Sequence, residues 1–93
     1  MSEITLQGYI LVPEEDLAAV VAELPMHIAL TLQESGCKAF EVTQDSGDAR
    51  IFRVYEKFSN RSAFEAHQSR VEGSLWGSIT ANAERHYDIS EGS

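Results

Sequence analysis

Residues 37–58 decide the fold, because they carry two apolar alternations on either side of a turn. Cys37 to Gln44 reads CKAFEVTQ, and Arg50 to Phe58 reads RIFRVYEKF. Alternation of apolar and polar residues is typical of half-buried β-strands. Asp45 to Asp48 reads DSGD between them, and aspartate, serine and glycine favour a turn. The stretch therefore predicts an antiparallel β-hairpin.

A strand and a helix are predicted before this hairpin. Thr5 to Val12 carries apolar residues on both faces, which indicates a strand covered on two sides. Glu14 to Asp16 supplies three acids for the first turn of a helix, whose apolar stripe runs from Leu17 to Ile28. Pro25 removes a backbone donor, so we expect a kink or short break near Leu24-Pro25 and a second helical piece through Gln33.

A second helix and a last strand are predicted after the hairpin. Asn60 or Ser62 is the expected cap of that helix. Residues 71–83 keep helical spacing only weakly, because they contain two glycines. Residues 85–89 form the expected final strand, and residues 90–93 are expected to be a frayed tail.

The predicted order is βαββαβ, which indicates an α+β, ferredoxin-like domain with helices on one face of an antiparallel sheet. We expect a single domain over residues 1–93, with its core at about 4–89. The strands are apolar on both sides, so a second sheet is expected to cover the bare face. A chain of this size buries only about 60–65% of its unfolded surface, and oligomerisation is a common remedy. The sequence therefore predicts a homodimer.

Composition excludes several classes of function. The net charge is −8, from 15 acidic and 7 basic residues, so a basic patch for nucleic acid or an anionic membrane surface is not expected. The chain has no apolar run of about 18 residues and no signal-peptide pattern. Its single cysteine, Cys37, excludes an intramolecular disulfide and a cysteine-based zinc site. These features predict a soluble cytoplasmic protein.

His67 and Glu56 are the candidate catalytic residues. His67 shares a helical face with Phe64, so its imidazole should point toward the sheet, where it could accept a phenolic or enolic proton. Glu56 lies on the strand face of Phe52 and Val54, and a carboxylate there needs a partner such as His67. Glu56 would orient the imidazole or act as the base itself. The structural alternatives are a core histidine and an interface salt bridge from Glu56 to Arg53 or Arg70.

Aromatic and basic side chains suggest the remainder of a pocket. Candidates for contact with a flat aromatic substrate are Trp76, Tyr9, Tyr55, Phe52, His27 and Arg70. Aromatic residues are equally suited to the core of a barrel. Trp76 is the best candidate for a lid, because its segment is flanked by glycines. The three histidines show no metal-ligand spacing, so no metal site is expected.

Several motifs resemble the antibiotic biosynthesis monooxygenase family of small dimeric α+β barrel proteins, over roughly Ile4 to Ile89. The most specific are Gly36-Cys37, Tyr55-Glu56-Lys57-Phe58 and Ala63-Phe64-Glu65-Ala66-His67. The resemblance implies two ferredoxin-like subunits packed sheet to sheet. The chain resembles the quinol monooxygenases of this family, and some members oxidise aromatic polyketides or quinols with O2 and no bound flavin, haem or metal. Haem-degrading members carry an asparagine on the first strand, where this chain offers Gln7 and Tyr9.

The resemblance therefore implies a cofactor-independent monooxygenase that acts on a small aromatic or quinol-like molecule and O2. In that mechanism His67, supported by Glu56, removes a phenolic proton, and the resulting anion reduces oxygen. Two alternatives remain open on the sequence: a non-catalytic dimer that binds an apolar ligand, and an isomerase of a small oxygenated metabolite. Many quinol-type relatives have a proline after the residue that matches Ser69, and this chain has Arg70 instead.

Overall fold

The computed structural model describes residues 2–92 as an α+β domain, in agreement with the predicted order. Four strands and three helices follow one another along the chain. They are β1 (Glu3–Leu11), α1 (Leu17–Leu32), β2 (Cys37–Gln44), β3 (Ile51–Phe58), α2 (Arg61–Glu72), α3 (Leu75–Ile79) and β4 (Glu84–Gly92). A short 3-10 turn, Glu14–Asp16, precedes α1. The three acids predicted at a helix start therefore occupy this turn rather than the first turn of α1.

The sheet has the strand order β2-β3-β1-β4, and all three pairings are antiparallel. This arrangement confirms the ferredoxin-like topology. The register sets Glu56 of β3 directly between Leu6 of β1 and Phe40 of β2. Successive side chains of a strand point to opposite faces, so these three side chains share one face. A carboxylate is thereby placed among apolar neighbours.

One face of the sheet is buried against the helices, and its core has two parts. The first cluster contains Ile4, Leu6, Val54, Phe58 and Phe64. The second contains Ile10, Val12, Val20, Phe52 and Trp76. Val42 and Tyr87 pack against both clusters.

Local hydrogen bonds explain the hairpin and the start of α2. Asp45 Oδ2 accepts hydrogen bonds from the backbone N–H groups of Gly47 and Asp48, each at 3.0 Å. The DSGD segment therefore forms the turn that its composition predicts. Asn60 Oδ1 accepts a hydrogen bond from Ala63 N at 2.9 Å, so Asn60 is the cap of α2 rather than Ser62.

Of the kink or short break predicted near Leu24-Pro25, the break is wrong, because α1 runs without interruption from Leu17 to Leu32. Pro25 frees the carbonyl of Val21, four residues earlier, and both residues lie on the exposed side of the helix. Water can hydrate that carbonyl there. The opposite side is held by the buried residues Val20, His27 and Thr31.

The frayed tail expected at residues 90–93 also requires correction. Residues 90–92 continue β4, and Gly92 pairs with Glu3 of β1. Ser93 lies outside the described residues. The backbone of β1 offers a full ladder of partners, which sustains β4 although its own side chains are mostly polar and exposed.

In the described part of the chain, no helix covers the second face of the sheet. It carries Tyr9 and Tyr55 among polar side chains, and Tyr9 stacks on His86 with ring centroids 4.7 Å apart. The sequence predicts strands that are apolar on both faces, and this second face is more polar than that prediction. None of the helices within residues 2–92 is long and apolar enough to span a membrane.

Candidate functional site

A cavity of about 180 Å³ lies between the sheet and the helices, where the two core clusters meet. The sheet supplies its apolar floor: Leu6, Ile10, Phe40, Val42 and Val54. The helices supply the walls: His27 from α1, His67, Gln68 and Val71 from α2, and Trp76 from α3. Glu56, Arg85 and Tyr87 complete the lining from β3 and β4. The cavity is thus mostly apolar with a few convergent polar groups, as ligand sites usually are.

Glu56 is the acidic side chain among the residues that line the cavity. Its side chain is buried, and within residues 2–92 its Oε1 atom has no hydrogen-bond partner. Burial, reinforced by the negative charge of Glu34, raises the pKa of Glu56 to about 7. Both protonation states of this carboxyl are therefore populated near neutral pH. An acid that exchanges protons at its working pH is suited to general acid–base catalysis.

His67 is held in place by a carboxylate that lies 33 residues earlier in the chain. Its Nδ1 atom is 3.0 Å from Oε1 and 3.1 Å from Oε2 of Glu34. A carboxylate only accepts hydrogen bonds, so Nδ1 carries the proton and the neutral ring has its free lone pair on Nε2. That Nε2 atom lies 3.7 Å from Oε1 of Glu56. Burial lowers the pKa of His67, and the hydrogen bond to Glu34 offsets this only in part.

Arg70 stands behind this pair rather than in the cavity. Its Nε atom donates to Oε2 of Glu34, and its Nη2 atom donates to Thr31 Oγ1 at 3.0 Å. The guanidinium thereby fixes the carboxylate that orients His67. The arrangement Arg70–Glu34–His67–Glu56 is a polar chain that runs from the protein surface to the cavity.

His27 and Trp76 form one aromatic wall. Their rings are parallel within 4°, with centroids 4.4 Å apart. Within the described chain, Nδ1 of His27 is buried without a hydrogen-bond partner. Burial is the main cause that lowers the pKa of His27 to about 3, and electrostatic repulsion from Arg70, and from His67 when it is protonated, adds to it. His27 is therefore neutral at physiological pH, with polar capacity left for a ligand.

The cavity unites four of the residues predicted from the sequence, namely His67, Glu56, Trp76 and His27. Trp76 is only 7% exposed and belongs to the core, so it is a fixed wall rather than the expected lid. Phe52 is completely buried beneath that wall and does not line the cavity.

Tyr9 and Tyr55, predicted to line the pocket, lie on the opposite face of the sheet instead. Gln7 of β1 pairs with Tyr55, and the residues next to each of them point to the buried face. Alternation along a strand therefore separates Tyr55 from its neighbour Glu56. Within the subunit Glu56 also lacks the salt bridge to Arg53 or Arg70, because Arg53 pairs with Asp45 and Arg70 pairs with Glu34.

Sequence reasoning missed Glu34 and Arg85. Glu34 follows α1 in an ordinary helix-ending segment, and nothing local indicates that it meets His67. The sequence places Arg85 in the last strand without a site role, and the alternation of β4 puts it with Tyr87 on the cavity side. Within residues 2–92 no group of three or more histidine, cysteine, aspartate or glutamate side chains could hold a metal ion.

A family model described as antibiotic biosynthesis monooxygenase matches residues 3–72 of this chain. The matched segment contains Glu34, Glu56 and His67, and it ends before Trp76 and Arg85. None of the curated proteins matches the chain significantly.

Solved structures share the fold over nearly the whole chain. A conserved protein of unknown function from Bacteroides thetaiotaomicron, a possible oxidoreductase, is 24% identical, with 97% of each chain covered and a TM-score of 0.76. A candidate antibiotic biosynthesis monooxygenase from Nitrosomonas europaea is 19% identical, covering 99% of this chain and 89% of its own, at a TM-score of 0.73. A further candidate from Deinococcus radiodurans is 20% identical, with 100% and 91% covered and a TM-score of 0.71.

Proposed function

The chain belongs to the antibiotic biosynthesis monooxygenase family, and from this premise we propose that it oxidises a small aromatic, quinol-like substrate with O2 and without a bound cofactor. One observation carries the proposal. Glu56 lines a mostly apolar cavity, its Oε1 atom has no hydrogen-bond partner within residues 2–92, and its pKa is raised to about 7. Such a group can take a proton from a phenol whose oxygen lies within hydrogen-bond distance.

The first step is removal of the phenolic proton. Ionised Glu56 accepts it, and the aromatic ring becomes an electron-rich phenolate. The Nε2 lone pair of His67, 3.7 Å from Glu56, provides the next acceptor along the polar chain. Sequence reasoning favoured His67 as the base with Glu56 in support. We propose the reverse, because the pKa of Glu56 is raised to about 7 whereas burial lowers the pKa of His67, which makes the carboxylate the better proton acceptor.

The second step is reaction of the phenolate with oxygen, in which the substrate supplies all the electrons. One ring carbon, which carries a hydrogen atom, forms a covalent bond to O2. The terminal oxygen then takes up a proton to give a hydroperoxide. That carbon then loses its proton, the O–O bond breaks and water leaves, so a carbonyl remains. A hydroquinone and O2 thus yield a hydroxyquinone and water. The neutral His27 ring supplies polar contact beside the reacting group without a competing charge.

Oxygen consumption tests this proposal. Purified protein, treated with a chelator, is mixed with a panel of hydroquinones in an oxygen electrode, and product masses are measured after reaction in labelled O2. Glu56→Gln should lower kcat at least about a hundredfold, since general base catalysis contributes about 10²–10⁴. Glu65→Gln makes the same chemical change on the exposed side of α2 and should leave the rate unchanged.

Two results would redirect the assignment. Ligand binding without oxygen uptake for any member of the panel would favour the non-catalytic ligand-binding dimer. Conversion of a substrate to a product of equal mass, with no oxygen consumed, would favour the isomerase.

We propose in addition that the protein is a homodimer whose subunits pack through the helix-free face of the sheet. Tyr9 and Tyr55 lie half-buried on this face and would gain cover from a second sheet. Under this arrangement the two tyrosines stabilise the dimer and have no contact with substrate. The cavity is then complete within each subunit.

A further inference from the structure

Arg85 differs from every other basic side chain of the protein. The chain has 7 lysine and arginine residues and 15 acids. Six basic residues lie within 4.0 Å of a carboxylate: Lys38, Arg50, Arg53, Lys57, Arg61 and Arg70. Arg85 has no such partner within residues 2–92. In so acidic a chain, an arginine without an acid has a positive charge available to a ligand.

The Arg85 guanidinium is held at one side of the cavity. Its Nη2 atom donates to Oγ1 of the buried Thr80 at 3.0 Å, and its Nη1 atom donates to the Ala83 carbonyl at 3.2 Å. These two bonds and a side-chain hydrogen-bond contact with Tyr87 restrict the guanidinium, whose five N–H groups still include donors for a ligand. The head group is therefore positioned without being neutralised.

Arg85 also connects the cavity to the exterior. A more open depression of about 310 Å³ is lined by Gln68, Val71, Glu72, Gly77 and Arg85. Gln68, Val71 and Arg85 line the inner cavity too, so the two spaces are contiguous. Arg85 thus stands between the apolar inner cavity and its mouth.

The size of the inner cavity limits the substrate that can enter. A closed apolar cavity of about 150 Å³ is known to hold benzene, and this one has about 180 Å³. It therefore fits a single aromatic ring with small substituents. A larger fused ring system would extend into the mouth and meet Arg85.

We propose that the substrate is a single-ring phenol that carries a carboxylate, which Arg85 binds at the mouth while the phenolic hydroxyl faces Glu56. This inference rests on the proposed function and names its substrate class. The forked guanidinium matches a carboxylate through charge-assisted hydrogen bonds. One unpaired cation balances one negative charge, and Glu72 at the same mouth disfavours a second.

Binding of a matched ligand pair tests the assignment. A dihydroxybenzoate and the dihydroxybenzamide with the same ring pattern are titrated by calorimetry without oxygen, so that no turnover occurs. Wild-type protein should bind the benzoate at least about tenfold more tightly, as expected for hydrogen bonds to a charged group. The preference should weaken as the salt concentration rises.

Variants assign that preference to one side chain. Arg85→Gln should remove it and leave benzamide affinity within about twofold, whereas Arg50→Gln, at an exposed arginine paired with Asp48 in the hairpin turn, should retain it. Arg85→Lys keeps the positive charge and should retain part of the preference for the benzoate. This second variant tests the proposal if Arg85→Gln does not fold. Equal wild-type affinities for the two ligands, or a preference that survives in Arg85→Gln, would overturn the proposal.

The two proposals fail in different ways. Selective benzoate binding without oxygen uptake would remove the oxygenase function and keep the carboxylate site. Oxygen uptake with equal affinity for the acid and the amide would keep the oxygenase and remove the role of Arg85.

Discussion

Replacement of Glu56 by glutamine should stabilise the fold at neutral to alkaline pH and lower kcat at least about a hundredfold. Glutamine has the same shape as glutamate and no charge to desolvate. The pKa of Glu56 is raised from 4.5 to about 7, mainly by burial and then by Glu34. Each pKa unit corresponds to about 1.4 kcal/mol, so the ionised side chain costs the folded state about 3 kcal/mol.

The pH dependence follows from proton binding. Between pH 4.5 and about 7 the folded chain holds a proton on Glu56 that the unfolded chain has released. The stability contribution of this group is therefore fully present below pH 4.5 and is lost as pH rises through about 7. Glutamine does not titrate. The gain of Glu56→Gln over the wild type should be absent at about pH 4 and reach about 3 kcal/mol at about pH 8.

Urea unfolding of both proteins at these two pH values measures the difference. Trp76 is the single tryptophan and is 7% exposed, so its fluorescence reports loss of the core. Protein concentration is held constant, because a dimer has a concentration-dependent stability. Glu65→Gln serves as the control and should change stability by less than about 0.5 kcal/mol at both pH values. An equal effect of Glu56→Gln at the two pH values would refute the assignment of a raised pKa.

Two further predictions concern the orienting carboxylate and the dimer. Glu34→Gln removes the anion that holds His67 and pairs with Arg70, so thermal unfolding should show a loss of about 1–3 kcal/mol. The same change removes a charge that raises the pKa of Glu56, and the acidic limb of the kcat/KM pH profile should move to lower pH; an unmoved limb would contradict this coupling. Tyr55→Arg places a charge on the helix-free sheet face and should convert the proposed dimer to monomers in light scattering, whereas Tyr55→Phe should not. A Tyr55→Arg protein that remains dimeric would show that the subunits meet elsewhere.

The hairpin, the order of the elements and the sheet face that carries Glu56 could be predicted from residues close together in the sequence. The turn at Asp45 and the cap at Asn60 follow from side chains that bond to backbone within three residues. Two local rules gave wrong results. Pro25 did not break α1, because the freed carbonyl faces solvent while the other side of the helix is buried. The polar residues 90–92 form a strand, because β1 provides their partners.

The sequence by itself determined which side chains share a face, because strand and helix periods are fixed by backbone geometry. Those periods brought Glu56 to the buried side and directed His67 toward it. Only the tertiary structure decided what each group meets. Glu34 reaches His67 across 33 residues, and Glu56 receives apolar neighbours from two other strands. Contacts between distant segments set burial and charge, and these set the pKa of Glu56 and leave Arg85 without an acidic partner within residues 2–92.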